Sequence, residues 1–424
     1  MALVRPFKGY LYNSVEINGA FGSVCAPPYD VISPAMQDEF HGRSRYNVVR
    51  LILARSELSD TGTQNKYTRA GELLKEWVAH GILTQDRDEA FYVYRQDYEA
   101  EGKICRRIGF LGKMKIEDPE EKGVLPHEKT HSKPKEDRLC LIKEVKGNLS
   151  PVFGLYLDRE GITSEPIDKV MLKEPVINFE EKGERHRLWR VTDRADISKI
   201  SDFLKDKKIF IADGHHRYEV ARNYRDIMRQ TPGYDGRADY IMTYFTGMDN
   251  EDKSNLTILA THRVIDNFDY NSTVISRMER IFTAKKHGSL RRLTAYLGGE
   301  LGHIFGFYSN GDYYSFELGK SVKPEELIKC ENSPDWKKLD VSILHNLILG
   351  DILKINPSEN TIHYFIKPEE AVDFAAEKRT RCAFLLNPTK IGELRRVAEN
   401  GEVMPQKSTY FYPKLLTGLV FNIY

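Results

Sequence analysis

The sequence predicts a mixed α/β (α+β) fold, with a sheet module near residues 188–265 and a second α/β domain after about residue 266. Three observations point there. Residues 188–265 alternate short apolar runs with amphipathic stretches in the order β-α-β-α-β-β, a pattern that builds a sheet covered by helices. The apolar runs 304–308 and 313–318 flank Ser309-Asn310-Gly311-Asp312, a strong hairpin signal. Pro368 opens a helical pattern between two further strand-like runs, at a position where its missing N–H does no harm.

The elements follow in chain order. Ala26-Pro27-Pro28-Tyr29-Asp30-Val31-Ile32 is extended and rigid, because two prolines fix φ. Residues 46–53 (YNVVRLIL) read as a buried strand with Arg50 at its middle. Residues 67–78 form an amphipathic helix with Ala70, Leu73, Leu74, Trp77 and Val78 on one face, and Gly81 lies just beyond its end. Residues 90–94 and 107–114 are antiparallel strands around a polar turn near Gly102. Residues 127–138 show no hydrophobic period and read as a charged loop.

In the central module, residues 188–191 are strand-like, and Asp196 is the expected N-cap of a helix presenting Ile197, Ile200, Phe203 and Leu204. Ile209, Phe210 and Ile211 end a buried strand, and the polar knot Asp213-Gly214-His215-His216-Arg217 follows. Val220, Ala221, Tyr224, Ile227 and Met228 then recur at helical spacing. Strands at 240–245 and 256–265 are split by the acidic turn 249–252. Later come strands at 362–366 and 382–386, and a helix after Pro388 that ends near Gly401. The tail 404–414 carries three aromatics and two prolines and is expected to dock back onto the body. The expected domains are 1–265 and 266–424.

Composition narrows the function. The 424 residues allow two or three domains, and a net charge of +1 leaves no chain-wide electrostatic footprint for duplex nucleic acid. No run of 18 apolar residues exists, and residues 1–20 do not read as a signal peptide, so no membrane association is expected. The 5 cysteines show no C-x-x-C spacing, which points to a reducing cytoplasm and away from a zinc knuckle.

The strand, glycine turn and helix start at 209–217 would aim backbone N–H groups at one point, where an anion is favoured. Arg217 and the imidazoles of His215 and His216 add donors suited to phosphate. A second motif, His127-Glu128-Lys129-Thr130-His131, matches H-E-x-x-H. Its context is wrong for zinc: Pro126 and Pro134 bracket it, apolar periodicity is missing, and Lys129, Lys133 and Lys135 would surround a dication. A loop of Lys, His and Thr donors with Glu128 and Asp137 better suits a polyanion with magnesium. There is no Walker A motif, no G-x-G-x-x-G after a strand and no G-x-S-x-G.

Asp213-Gly214-His215-His216-Arg217 resembles the phosphate-binding turn of the ParB/sulfiredoxin superfamily, over about residues 186–265. The whole chain also resembles an uncharacterised full-length family of bacterial and archaeal proteins. That likeness rests on residues 27–32, His127-Glu128-x-Thr130 with Lys135-x-Asp137-Arg138, Asn148-x-Ser150-Pro151, residues 212–217, Thr261-His262-Arg263 and Lys407-Ser408-Thr409-Tyr410-Phe411. The superfamily includes CTP-binding DNA partition proteins, sulfiredoxin and kinases of free L-serine. This box has His215 where sulfiredoxin needs a cysteine, and no basic helix-turn-helix follows it as in partition proteins. The resemblance therefore implies a small-molecule phosphotransferase that makes O-phosphoserine from free L-serine, with a nucleotide or inorganic diphosphate as donor. The alternative is a nucleotide-binding regulator without turnover.

Such a reaction assigns roles to residues. Gly214, His215, His216 and Arg217, helped by Lys129 and Lys407, would cradle the donor phosphate. Asp30, Glu128 and Asp213 are candidates to orient or deprotonate the acceptor hydroxyl. Asp213 and Asp137 would hold Mg2+. Arg50 and Arg138, with Ser408 and Thr409, would bind the acceptor.

Overall fold

The computed structural model describes residues 2–100, 102–118, 120–126, 132–248, 256–271, 273–299, 302–355 and 361–424. The H-E-x-x-H stretch, with Glu128 and Lys129, and the acidic turn 249–252 lie outside the described residues. The chain forms a mixed α/β protein of two compact units, one made of the described residues up to 257 together with 413–424, the other of the described residues of 258–412. The junction expected at 265 falls at 257/258, and the last residues belong to the first unit.

In the first unit, the elements that matter for the site are β1 (Val4–Arg5), α1 (Pro34–Arg43), α2 (Val49–Ile52), α3 (Lys66–Ala79), β2 (Phe91–Ala100), β3 (Lys103–Lys115), β4 (Val124–Leu125), α4 (Ser132–Val145), β5 (Val152–Tyr156), α5 (Ser164–Met171), β6 (Ile177–Glu181), β7 (Glu184–Val191), α6 (Arg194–Lys205), β8 (Ile209–Asp213), α7 (His215–Arg229) and β9 (Tyr240–Gly247). The sheet runs β4-β8-β5-β9-β3-β2-β7-β6, and β1 adds to β3. Among the described residues of this sheet, β8 with β4 and β9 with β5 are the parallel pairs. Its core gathers Val93, Phe110, Trp189, Ile200, Leu204, Ile209, Ile211, Tyr218 and Phe245. Ile142 of α4 packs with Val220 and Tyr224 of α7 in a smaller cluster. The chain end closes this unit: Asn422–Ile423 pairs with Gly147–Asn148, and the Asn148 amide donates to the Tyr424 hydroxyl at 2.9 Å.

The second unit contains β10 (His262–Ile265), β11 (Phe282–His287), α8 (Leu290–Gly299), β12 (Ile304–Ser309), β13 (Asp312–Leu318), the π-helical α9 (Ile343–Ile352), β14 (Ile362–Phe365), α10 (Pro368–Ala376), β15 (Cys382–Leu385) and α11 (Ile391–Glu399). Its antiparallel sheet runs β11-β13-β12-β15-β10-β14. The hairpin at Asn310-Gly311 takes positive φ at both residues, 49° and 88°, as a tight two-residue turn between twisted strands requires.

Several expectations are corrected. Residues 46–53 are not a strand. Asn47 donates to the Ser23 and Cys25 carbonyls and accepts from Val49 N–H, which starts the helical turn α2. Val48, Val49, Leu51 and Ile52 are all buried, the i, i+1, i+3, i+4 spacing of a helix face, and Arg50 points away. The 127–138 stretch is helical from Ser132 onward. Its apolar face lies at Leu141, Ile142 and Val145, beyond the polar stretch itself, with buried Arg138 one turn earlier. The cap of α6 is Asp193, whose carboxylate accepts from Ala195 and Asp196 N–H. Asp196 sits inside the first turn and pairs with Lys169. The expected strand at 256–265 is also broken, into 257–259 and β10.

Candidate functional site

Local sequence builds the turn. Phe210 and Ile211 of β8 oppose Leu155 and Gly154, but Asp213 opposes Phe153, so Ala212 is an extra residue and the strand bulges just before its end. A bulge re-aims the side chains that follow it. Gly214 then takes the left-handed conformation (φ 88°, ψ 27°) as N-cap of α7. It has no side chain to cap the first turn, so the positive end of a 15-residue helix opens at this point.

Asp213 is the hub. Its Oδ1 accepts the Gly214 N–H at 2.9 Å, so that N–H, expected to face the ligand, is already used. Its Oδ2 lies 3.2 Å from Lys414 Nζ and 3.5 Å from Arg217 Nη2. Arg217, one turn along α7, also donates through Nη1 to the Pro151 carbonyl. Burial alone would raise the Asp213 carboxyl, but the charges of Lys414 and Arg217 outweigh it and hold the group well below the usual carboxylate range. His215 is buried beside it and His216 is half-buried.

A second layer adjoins the first. The Arg138 guanidinium lies 4.1 Å over the Tyr29 ring and donates to the Ile52 carbonyl at 2.6 Å and to Asp137 Oδ2 at 2.8 Å. Asp137 also accepts from Lys66 at 3.0 Å and Tyr67 at 2.7 Å, which ties α3 to α4. Burial raises the Tyr29 phenol and Asp30 adds to that; Arg138 and Arg217 oppose the shift, and Asp213 reinforces it. Tyr29, Arg138, Asn148, Ser150 and Arg217, together with apolar side chains of α4 and α7, line one small pocket of about 70 Å³.

The structure thus brings Asp30, Asp137, Arg138, Asp213, Gly214, His215 and Arg217 into one region of the first unit. It keeps Arg50 out of the group: its guanidinium donates to the His41 carbonyl at 2.7 Å and the Ser44 carbonyl at 3.3 Å and closes the end of α1. Lys407, Ser408 and Thr409 belong to the second unit. There the Lys407 carbonyl accepts from Arg263 at 2.8 Å, the Ser408 hydroxyl donates to the Pro405 carbonyl, and Ser408 and Thr409 are buried.

The two acids expected to hold magnesium do not fit a resident ion. Mg2+ needs octahedral oxygen ligation. Asp213 Oδ2 faces two cations, and Asp137 is saturated by Lys66, Tyr67 and Arg138. Among the described residues no group of three His, Cys, Asp or Glu side chains could hold a metal.

Asp137 yields a pH prediction. Burial works against its ionised form, yet Arg138, Tyr67 and Lys66 bring its carboxyl from 3.8 to about 2. A depressed carboxyl stabilises the fold fully above its ordinary value, and this contribution fades as pH falls toward the folded value. Urea unfolding of wild type and Asp137→Asn should therefore differ by a constant amount above about pH 5 and converge between about pH 4 and 2. An unchanged gap down to acid pH would exclude this role.

Residues 4–342 match the model of a family described as a protein of unknown function, DUF1015. The chain belongs to the DUF1015 family. No curated protein matches this DUF1015 chain. Solved structures similar to it include a free serine kinase mutant in complex with ADP (13% identity, 68% of this chain and 84% of that chain, TM-score 0.33). A conserved hypothetical protein from Pyrococcus furiosus is similar at 14% identity, over 71% and 91% of the two chains, with TM-score 0.33. SbnI with a C-terminal truncation, from Staphylococcus aureus, is similar at 10% identity, over 72% and 85%, with TM-score 0.36. Among the described residues of the DUF1015 chain, no helix is long and apolar enough to cross a membrane.

Sequence reasoning missed Tyr29 as a site residue, and it missed Lys414, having nominated Lys407. A usable signal existed for Lys414's support, since the Lys414 and Pro413 carbonyls accept from Gln96 and Arg107. Gln96 and Arg107 interrupt strands that are otherwise apolar on their buried face, and polar residues are rarely buried without a partner.

Proposed function

We propose that this DUF1015 chain is a phosphotransferase that passes phosphate from a nucleotide or inorganic diphosphate to a small hydroxyl metabolite, with free L-serine as the acceptor. The observation that carries the reading is the turn at Gly214. A half-buried carboxylate there fixes two cations at the open N-terminus of α7, beside a small pocket lined by Tyr29, Arg138 and Arg217. Phosphoryl transfer asks a protein mainly for positioning and for charge to meet the phosphate oxygens. The choice of serine rests on the sequence resemblance of residues 213–217.

In this reading Arg217, His215 and His216 receive the donor phosphate. Arg138, held over the Tyr29 ring, receives the acceptor carboxylate. Asp213 is a poor proton acceptor at neutral pH because its carboxyl is held so low, so its task is to orient the two cations. Asp30, exposed beside Tyr29, and Glu128 are the candidates for the acceptor's proton. Magnesium would enter as the counter-ion of the phosphate donor, bound with the substrate. The five cysteines are all free, which supports a reducing, cytoplasmic setting.

The test is direct. Pure protein incubated with L-serine, Mg2+ and either ATP, ADP or diphosphate is followed by phosphorus NMR. O-phosphoserine should accumulate with at least one donor. No phosphoserine with any donor removes serine from the reading. Nucleotide binding without turnover, together with salt-sensitive retention of duplex DNA, would favour the regulator instead.

A further inference from the structure

We propose that the second unit carries a ligand site of its own, the groove along the π-helical α9, and that this groove takes an α-amino acid with an apolar side chain. The site uses residues of the second unit alone and goes beyond the phosphotransferase reading.

The groove encloses about 490 Å³. That lies within the roughly 300–1,000 Å³ typical of small-molecule sites. His345, Asn346, Gly350 and Asp351 of α9 form one wall, Lys354 and Ile355 follow them, and Ile328 and Lys329 close it from the segment before the helix. The winding of α9 makes this wall. An α-helix stacks a residue against those three and four positions on, whereas a π-helix bonds it to the fifth. Gly350 is thereby set against His345, and Asp351 against Asn346. A methyl group on Gly350 would stand only 3.4 Å from the His345 carbonyl oxygen. The apolar residues Ile343, Leu344, Leu347, Ile348 and Leu349 are meanwhile committed to the core. The helix ends in the same wide register: Leu353 N–H donates to the Ile348 carbonyl at 2.9 Å and Ile355 N–H to the Leu349 carbonyl at 2.7 Å, around a left-handed Lys354 (φ 59°). A π-helix is rare and occurs mostly at functional sites, and this one runs for 10 residues.

The chemistry of the wall selects the ligand. Asp351 supplies a carboxylate, and Lys329 and Lys354 supply ammonium groups; all three residues are exposed at the groove. Lys329 uses one donor on the Glu326 carbonyl at 2.7 Å and keeps two. Asn346 donates to the Ser342 carbonyl at 2.9 Å, which leaves its side-chain carbonyl to accept. His345 is half-buried, and its Nε2 has no hydrogen-bond partner among the described residues. Burial, with the charge of Arg263 adding to it, brings this imidazole from 6.5 to about 3, so the ring is neutral and adds no charge. A groove with both signs of charge side by side fits a zwitterion. The amino group meets Asp351 and the Asn346 carbonyl, the carboxylate meets Lys354 and Lys329, and the side chain lies along Ile328 and Ile355. A phosphate would meet the lysines but also Asp351. A divalent cation would find one carboxylate where it needs several oxygen ligands.

The experiment uses the full chain and calorimetry, with three probes: L-leucine, 4-methylpentanoate, which lacks the amino group, and L-leucinamide, which lacks the carboxylate. Wild type should bind L-leucine with Kd of about 1 mM or tighter, and each analogue about fivefold or more weakly. Asp351→Asn should lose the preference for L-leucine over 4-methylpentanoate. Lys354→Met should lose the preference for L-leucine over L-leucinamide. Both positions are exposed, so Tm should not change and the losses report binding.

Wild type that binds no L-leucine overturns the inference. So does L-leucine binding that both variants retain in full, which would place the ligand elsewhere on the chain. Variants that weaken all three probes equally overturn the assignment of Asp351 to the amino group and Lys354 to the carboxylate. The phosphotransferase reading fails separately: a chain that makes no phosphoserine yet binds L-leucine in this pattern keeps the groove and loses that reading.

Discussion

Asp213→Asn should destabilise the protein by about 3 kcal/mol or more, because it leaves two largely buried cations without their carboxylate. Asparagine keeps the shape and can still accept the Gly214 N–H, so the cap at 2.9 Å survives and the loss reports charge. Removing the carboxylate raises the net charge of the group formed by residue 213, Arg217 and Lys414 by one. The variant should therefore be rescued by inorganic diphosphate or sulfate: its Tm should rise with added anion more steeply than that of wild type. Phosphotransfer should fall even where anion binding recovers, since the cations lose the group that orients them. The acid limb gives an independent check. The wild-type carboxyl is held far below its ordinary value, so its contribution is full at neutral pH, fades as pH falls below about 5, and is lost completely only in strong acid. Wild type and variant should differ most at neutral pH. An Asp213→Asn protein with wild-type Tm, anion response and turnover would show that the trio does not organise this site.

Gly214→Ala should be the most damaging small substitution in the chain for donor binding. Two effects combine there. The backbone sits at φ 88°, where any Cβ brings about 1–2 kcal/mol of strain. That Cβ would also stand 3.0 Å from Arg217 Cζ and 3.0 Å from its Nε, so the guanidinium must shift by a few tenths of an ångström from its place between Asp213 and the Pro151 carbonyl. Gly233→Ala separates the effects, because Gly233 has φ 77° and an added methyl group there would meet nothing within 4 Å. Both variants should lose a similar small increment of Tm from strain. Only Gly214→Ala should lose diphosphate affinity, by about tenfold or more if the Arg217 contact to phosphate is lost. Equal affinity in the two variants would detach Arg217 from the anion.

Much of the first unit was legible because its signals are local. The trio Ile209-Phe210-Ile211, the glycine and the helical stripe from Val220 to Met228 lie within some twenty residues of one another, and each is a short-range consequence of side-chain size and backbone freedom. The Asn310-Gly311 hairpin and the Pro368 helix start are legible for the same reason. The failures also have local causes. Residues 48–52 put four apolar side chains around one arginine, a pattern that fits a strand or a helical turn, and the buried Asn47 side chain decided for the helix. Residues 132–138 are the polar start of a helix whose apolar face begins later.

The site divided along the same line. The sequence by itself determined the turn at 213–217, because glycine, acid and cations there are neighbours in the chain. Only the tertiary structure decided that Lys414, rather than Lys407, meets Asp213, across a sequence separation of 201 residues. It likewise decided that Asp137 is consumed by Lys66 and Tyr67, and that Tyr29 and Arg138 share a pocket with Arg217. Such contacts are set by how strands order in the sheet and where a distant segment is pinned, and neither quantity is encoded in the spacing of nearby residues.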